Sequence, residues 1–214
     1  MSKKNKAVVV LASTSPRRIN LLKQIGLEIE VQAPGVDEDS LPGEKPIALV
    51  SRLAREKAAS VAKGINSTPS YVIAADTIVV APDGKTILGK PSSTAHAQKM
   101  LKMLAGKTHT VFTGYCIYPV INPKKLSKVK KHQPLVRTVR SRVTMRTLSS
   151  KDISLYVQSG EPLDKAGSYA AQGMGMALIE RIHGSYTNVV GLPLCQLAKD
   201  LEETFGFTLF KWNT

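Results

Sequence analysis

LASTSPRRINLL, residues 11–22, is the stretch from which the rest of the chain is read. Just upstream, AVVVLA at 7–12 is a short β-branched apolar run with the character of a buried strand. Downstream, Ile19, Leu21, Leu22 and Ile25 suit one side of a short helix. Ser15 is a good N-cap residue between them, and Pro16 fits the first helical position. The unpaired N–H groups of the new helix then point back toward the strand end, a geometry that attracts anions. Hydroxyls of Ser13 and Ser15 and the guanidinium groups of Arg17 and Arg18 gather at the same place, and arginine grips phosphate oxygens with a forked pair of donors. One reading is a phosphate site. The other is a capped surface helix with two solvated arginines, and the turn alone does not choose between them.

The composition narrows the classes. At 214 residues and 43% hydrophobic, the chain can bury a sizeable core as one large domain or two small lobes. Aromatics at 5% leave few platforms for stacking single-stranded nucleic acid. No apolar run approaches membrane-spanning length, and MSKKNK before AVVVLAS is followed by too short an apolar run for a signal peptide. Cys116 and Cys195 lie far apart, without metal-like spacing and among apolar neighbours. They read as buried free thiols, which points to a reducing, cytoplasmic compartment. The net charge of +14 is local: residues 84–150 hold 14 Lys and Arg and no Asp or Glu, while the remainder balances. A polyanion-binding surface would use such an excess. Arg140, Arg142 and Arg146 share one strand parity, however, and Val139, Val143 and Met145 the other, which favours an outward solvated face. The lysine run at 124–131, among Pro123, His132 and Pro134, reads as a basic hairpin insertion at 122–134.

Three further segments carry chemistry. Residues 46–63 have helical period, with Ile47, Val50, Leu53, Ala54, Ala58 and Val61 on one stripe. Lys57 falls on that apolar side, either snorkelling from its edge or aimed into a cleft where a phosphate compensates its burial. YVIAADTIVV at 71–80 is a buried-strand sequence with Asp76-Thr77 set into its middle. A carboxylate there must be paired, hydrogen-bonded or metal-bound; a metal ligand or general base is preferred over a structural salt bridge. Asp37-Glu38-Asp39 form an acidic loop that is either solvated or supplies a magnesium ligand. Lys90 ends a short strand that returns toward Asp76 if 71–88 is a hairpin. Helices are expected over 92–104, 150–158 (with Ser149 and Asp152 as a capping box) and 193–205. Strands are expected over 28–32, 107–120, 135–147, 176–182 and 207–212. His109 reads as structural, and Asp164-Lys165, within the glycine-containing loop at 161–175, as either an internal pair holding that loop or a ligand-binding pair.

Together these residues carry a resemblance. LASTSPRR at 11–18, RLAREKA at 52–58, AADTIV at 74–79, LGKP at 88–91, EPLDKAGSYAAQG at 161–173 and GSYTNVVGLPL at 184–194 resemble, in order and over nearly the whole chain, the Maf-like nucleotide pyrophosphatases, also called septum formation inhibitor proteins. The resemblance implies one α/β domain over residues 1–214, with a long mixed sheet, flanking helices and a central cleft, similar to the inosine triphosphatases. It implies hydrolysis of a nucleoside triphosphate between the α and β phosphates with a divalent cation, magnesium or manganese. By motif position, Asp76 is similar to the family's proton acceptor. Ser13, Arg18, Lys57 and Lys90 match its phosphate-site residues, and Glu38 its acidic-loop carboxylate, which with Asp76 would hold the metal. Arg17, Thr77 and Gln172 match the positions that mark the dTTP/UTP subgroup; the 7-methyl-GTP subgroup has Trp in place of the first arginine. Ala170-Ala171 departs from the more usual Gly-Ile, and the lysine insertion is longer and more basic than is typical. The implied partner is a nucleoside triphosphate, without a membrane; a homodimer stays open, and nucleic acid is not favoured. The competing class is a non-catalytic nucleic-acid-binding or division-regulating protein, which would release no pyrophosphate from any triphosphate.

Overall fold

The computed structural model describes residues 8–65, 70–120 and 133–205. The lysine run at 124–131 and the expected strand at 207–212 lie outside the described residues. Strand β1 (Val8–Ala12) runs directly into helix α1 (Pro16–Gln24), as its sequence dictates. There follow β2 (Ile29–Gln32), α2 (Pro46–Ala62), β3 (Ser70–Val80), β4 (Ile87–Leu88) and α3 (Thr94–Leu104). After these come β5 (Thr108–Val120), β6 (Leu135–Met145), α4 (Ser150–Gln158), β7 (Ile179–His183), α5 (Tyr186–Val190) and α6 (Leu194–Phe205). The strands form one mixed sheet in the order β2-β1-β3-β5-β6-β7, with β4 added to β3. β1 is parallel to β2 and β3, and the other pairings are antiparallel.

Strand alternation divides β3 between two packed faces. Val72, Ala74, Ile78 and Val80 pack under α2, against Leu49, Val50, Leu53, Ala54, Ala58 and Val61. Ile73 and Ala75 face α1 and α6 through Leu21, Leu22, Leu197 and Leu201, and Val79 faces α3 and α4. Asp76 therefore belongs to the α2 face and Thr77 to the opposite one. α2 lies very close to the sheet at Gly114, the register partner of Asp76. A Cβ built on Gly114 would come within 2.3 Å of the Val50 carbonyl oxygen, so only glycine allows the approach that brings Lys57 down to the strand.

The register also opens a notch. β1 pairs with β3 as far as Leu11↔Ile73, and β4 begins pairing only at Val79↔Leu88. Between those points, residues 74–78 of β3 have no strand partner on that side among the described residues. The middle of a buried strand is thereby opened to a cleft, at the place where Asp76 and Thr77 sit.

Several expectations need correction. Ser15 occupies the N-cap position of α1, but its side chain makes no capping bond; its backbone N–H instead donates to Ser13 Oγ at 3.2 Å. Ile47 is 54% exposed in the first turn of α2, and Leu49, four residues before Leu53, takes its place on the buried stripe. Cys116 is buried, but Cys195 is exposed on α6. The strand expected from 176 starts at Ile179, because a 3₁₀ turn occupies Gly173–Leu178. The Glu161 carboxylate draws that turn together, accepting from the N–H groups of Met174 and Gly175 at 2.9 and 2.8 Å. The short helix α5, capped by Ser185 Oγ on Asn188 N–H, was not anticipated. The hairpin at β3–β4, the capping box of Ser149 and Asp152, and the outward Arg140, Arg142 and Arg146 are as expected.

Candidate active site

At the notch lies a cavity of about 400 Å³, within the size range of small-molecule sites. Its α2 side is ionic. Lys57 is buried, and its ammonium donates to Asp76 Oδ1 at 2.7 Å and meets Glu38 Oε1 at 2.8 Å. One cation thus holds two carboxylates, one deep in the strand and one on the acidic loop, where the Glu38 side chain remains 58% exposed. Burial raises the Glu38 pKa, but the Lys57 hydrogen bond and the charges of Lys57, Lys90 and Arg18 outweigh it, so the carboxyl lies below its ordinary value. The alternatives for Asp76 thus meet in one geometry: the carboxylate is paired, and it also faces a cavity.

The opposite side is a relay of neutral groups around a guanidinium. Arg18 projects from the first turn of α1. Its Nε donates to the Gly191 carbonyl at 2.8 Å, its Nη2 to Thr77 Oγ1 at 3.0 Å, and its Nη1 to Ser13 Oγ at 3.4 Å. Gly191 closes α5 with φ +126°, a conformation that L side chains rarely adopt, and this turn aims its carbonyl at Arg18. Burial lowers the Arg18 pKa, and Arg17 acts in the same direction; Asp76 and Glu38 oppose them.

The rim completes the set. Lys90 follows β4 and lines the cavity, its chain tied by the Gly167 N–H donating to the Gly89 carbonyl at 3.1 Å. Arg17 lies 3.7 Å from Asp164, joining the first turn to the loop after α4. Asp164 and Lys165 form the internal pair, Lys165 also donates to the Glu161 carbonyl at 2.6 Å, and both residues line the cavity. The structure thus brings Ser13, Arg17, Arg18, Glu38, Lys57, Asp76, Thr77 and Lys90 to one cavity. Gln172 is half-buried beside Ala171, at the start of the 3₁₀ turn, and is not among the lining residues. The less polar wall comes from Tyr169, Ala170, Ala171, Val189 and Val190; Ala170-Ala171 stood out in the sequence only as a departure from Gly-Ile, because an apolar side chain that lines a cleft has the same signature as one in a core.

The donor set can accept a divalent cation only in part. Glu38 and Asp76 offer hard carboxylate oxygens that both converge on the Lys57 ammonium. No group of three His, Cys, Asp or Glu side chains among the described residues could hold a metal. Two carboxylates, with phosphate and water oxygens completing the shell, is the usual arrangement for magnesium. Among the described residues, no helix is long and apolar enough to cross a membrane.

The chain is similar to known proteins over nearly its whole length. A protein of Geobacter metallireducens called "dTTP/UTP pyrophosphatase" is 46% identical over 90% of this chain and 94% of its own. One of Geobacter sulfurreducens with the same name is 43% identical over 92% and 96%. The solved HAM1 protein of Coxiella burnetii is a looser likeness, 16% identical with a TM-score of 0.49, over 92% of this chain and 100% of that one. Residues 8–204, from the first strand through the closing helix, match the model of the Maf-like protein family, and with those close relatives this shows that the chain belongs to it.

Proposed function

We propose that this chain is a nucleoside triphosphate pyrophosphatase that hydrolyses dTTP and UTP between the α and β phosphates, yielding the monophosphate and pyrophosphate. The observation that carries this reading is the meeting of Arg17, Arg18, Lys57 and Lys90 with Asp76 and Glu38 in one cavity. Family membership and the names of the relatives support it. These four cations, offset in part by Asp76 and Glu38, face a polyanionic triphosphate tail, and preorganised cations around the transferring phosphoryl group are the main need of this chemistry. Arg18, already pinned by Gly191 and Thr77, presents its guanidinium without having to find a rotamer. A phosphate oxygen that reaches Lys57 competes with Asp76 for the same ammonium, and so frees a carboxylate oxygen to take a proton. Water attacks the α phosphorus, its proton passes to Asp76, and the bond to the bridging oxygen breaks with its electron pair leaving on pyrophosphate.

Magnesium or manganese, held by Asp76 and Glu38 with the phosphates, would supply charge neutralisation at the phosphoryl oxygens. The apolar wall of Tyr169, Ala170 and Val189 suits a base ring. The Gln172 amide can donate and accept, matching O4 and N3–H of uracil or thymine, when its side chain turns toward that wall. The proposed setting is the cytoplasm, where Cys116 and Cys195 stay reduced. A nucleotide is the partner the reaction requires.

The test is a panel of triphosphates turned over in oxygen-18 water. Label should appear in the monophosphate, pyrophosphate should be the other first product, and kcat/KM for dTTP and UTP should exceed that for 7-methyl-GTP. Orthophosphate and diphosphate as first products, or no turnover of any triphosphate, would overturn the reading.

A further inference from the structure

We infer that Thr113, in the middle of β5, is a positioning residue: its hydroxyl sets the direction of a hydrogen-bond relay that fixes Arg18 for the triphosphate. Thr113 is fully buried, is not among the residues lining the cavity, and is the register partner of Thr77. Its hydroxyl donates to the Asn188 carbonyl at 2.9 Å, and a carbonyl oxygen can only accept. Having given its one proton there, Thr113 can only accept from Thr77, whose Oγ1 is 2.9 Å away. The Thr77 hydroxyl therefore points its proton at Thr113 and its lone pair at Arg18 Nη2, 3.0 Å away. The chain of donors runs one way, from Arg18 to Thr77 to Thr113 to Asn188.

Without the Thr113 hydroxyl, the Thr77 proton has, among the described residues, one other acceptor within reach, the Gly191 carbonyl at 3.4 Å. That carbonyl already holds Arg18 Nε at 2.8 Å. Turning toward it swings the Thr77 hydroxyl into competition with the guanidinium it now supports. Thr113 is thus one step behind the phosphate-binding group, and acts only through Thr77 and Arg18.

The inference takes its anion from the triphosphate reading, and the experiment separates the two. Calorimetry measures the affinity of inorganic tripolyphosphate for the wild-type chain, Thr113→Val, Thr113→Ser, Thr77→Val and the double variant Thr77→Val/Thr113→Val. Thr113→Val should bind about tenfold more weakly, the scale of one charge-assisted hydrogen bond. Thr113→Ser, which keeps the hydroxyl, should bind within about threefold of wild type. Adding Thr113→Val to Thr77→Val should change affinity by less than about twofold, because the relay is already cut. A residue that merely supports packing would lower the melting temperature and cost the same in both backgrounds. Equal cost in both backgrounds, wild-type affinity in Thr113→Val, a Thr113→Ser as weak as Thr113→Val, or no tripolyphosphate binding by the wild-type chain would each overturn the relay. If Thr113→Val does not fold, Thr113→Ala gives the same comparison. Wild-type protein that binds tripolyphosphate but turns over no triphosphate would overturn the hydrolytic reading, while the relay would still be judged on affinity.

Discussion

Asp76 and Asp200 are both buried carboxylates on apolar surfaces, one in a strand and the other on a helix. Burial does not distinguish them; their partners do. Asp200, on α6, accepts from Tyr115 Oη and Arg137 Nε on Oδ2, and from Arg137 Nη2 and Gln196 Nε2 on Oδ1. Both oxygens are satisfied, and Asp200 is not among the residues lining the cavity. The Asp200 carboxylate raises the Tyr115 pKa further above a value that burial has already raised, so this hydroxyl stays a donor. Among the described residues, Asp76 is bonded to a single ammonium that also holds Glu38, and it lies on the cavity wall. A buried carboxylate with saturated oxygens fastens a helix to a sheet. One that shares a single cation with a second carboxylate at an opening in the sheet is the candidate for chemistry.

The sharpest way to break this contrast is to neutralise each carboxylate without changing its shape. Asp76→Asn should lower kcat for UTP by about a thousandfold, within the range for loss of a general base. It should stay folded, because Lys57 keeps Glu38 as a partner. Turnover of the variant within tenfold of wild type, measured by pyrophosphate release beside a melting curve, would end the case for Asp76 as base. Asp200→Asn should do the reverse. Removing one partner of a buried network costs about 3 kcal/mol, here discounted toward 2 because the Arg137 side chain is 52% exposed and can turn to water. The melting temperature should fall by several degrees, with kcat of the folded fraction unchanged within about twofold. A loss of kcat comparable to that of Asp76→Asn would move Asp200 into the site.

The same two residues show what could be read from the chain. In β3 the period of two leaves no polar position, so Asp76 contradicts its surroundings and is noticed at once. α6 is amphipathic, and Asp200, three residues after Leu197 and one before Leu201, looks like an edge position until the fold shows Tyr115 and Arg137 reaching it. Charges that interrupt a strand are legible; charges that complete a tertiary network are not, because their partners are remote in sequence. Lys57 was legible for the reason Asp76 was, on the apolar stripe of α2. Thr113 was not, because a threonine fits a strand by propensity alone. The notch itself depends on where β1 ends and β4 begins. Register carries that information, and side-chain period does not.

His109 extends the contrast to a buried group that should stay neutral. Its Nε2 lies 2.7 Å from Tyr169 Oη, its Nδ1 has no hydrogen-bond partner among the described residues, and burial lowers its pKa from 6.5 to about 4. A free imidazole in the unfolded chain takes a proton below about 6.5, but the folded one does so only near 4. The unfolded state therefore binds more protons across that window, and folding stability falls as pH drops through it. The total loss should be about 3 kcal/mol, complete only below pH 4. His109→Gln should flatten this slope in urea unfolding between pH 6.5 and 4.5; an unchanged slope would show that other groups set it.

The smallest effect is expected at Glu38, the carboxylate between the two extremes. It shares Lys57 with Asp76 but stands 58% exposed, so water screens its charge and other groups can replace it. Glu38→Gln removes the charge and keeps an acceptor oxygen for Lys57. Its kcat/KM for UTP should fall about tenfold, far less than for Asp76→Asn, since Asp76, the proposed proton acceptor, is untouched. The pH dependence has a definite sign. The folded Glu38 carboxyl lies below its ordinary value of 4.5. Its pairing with Lys57 is therefore complete above pH 4.5, and is lost only as pH falls through the lower folded value. A carbon-detected NMR titration of Glu38 should place its midpoint below 4.5 in the wild-type chain, and Lys57→Met should move that midpoint upward, toward the ordinary value. A wild-type midpoint at or above 4.5, or one that Lys57→Met leaves in place, would show that Lys57 does not hold the acidic loop in solution. Glu38 would then have to be separated from Asp76 in the account of the site.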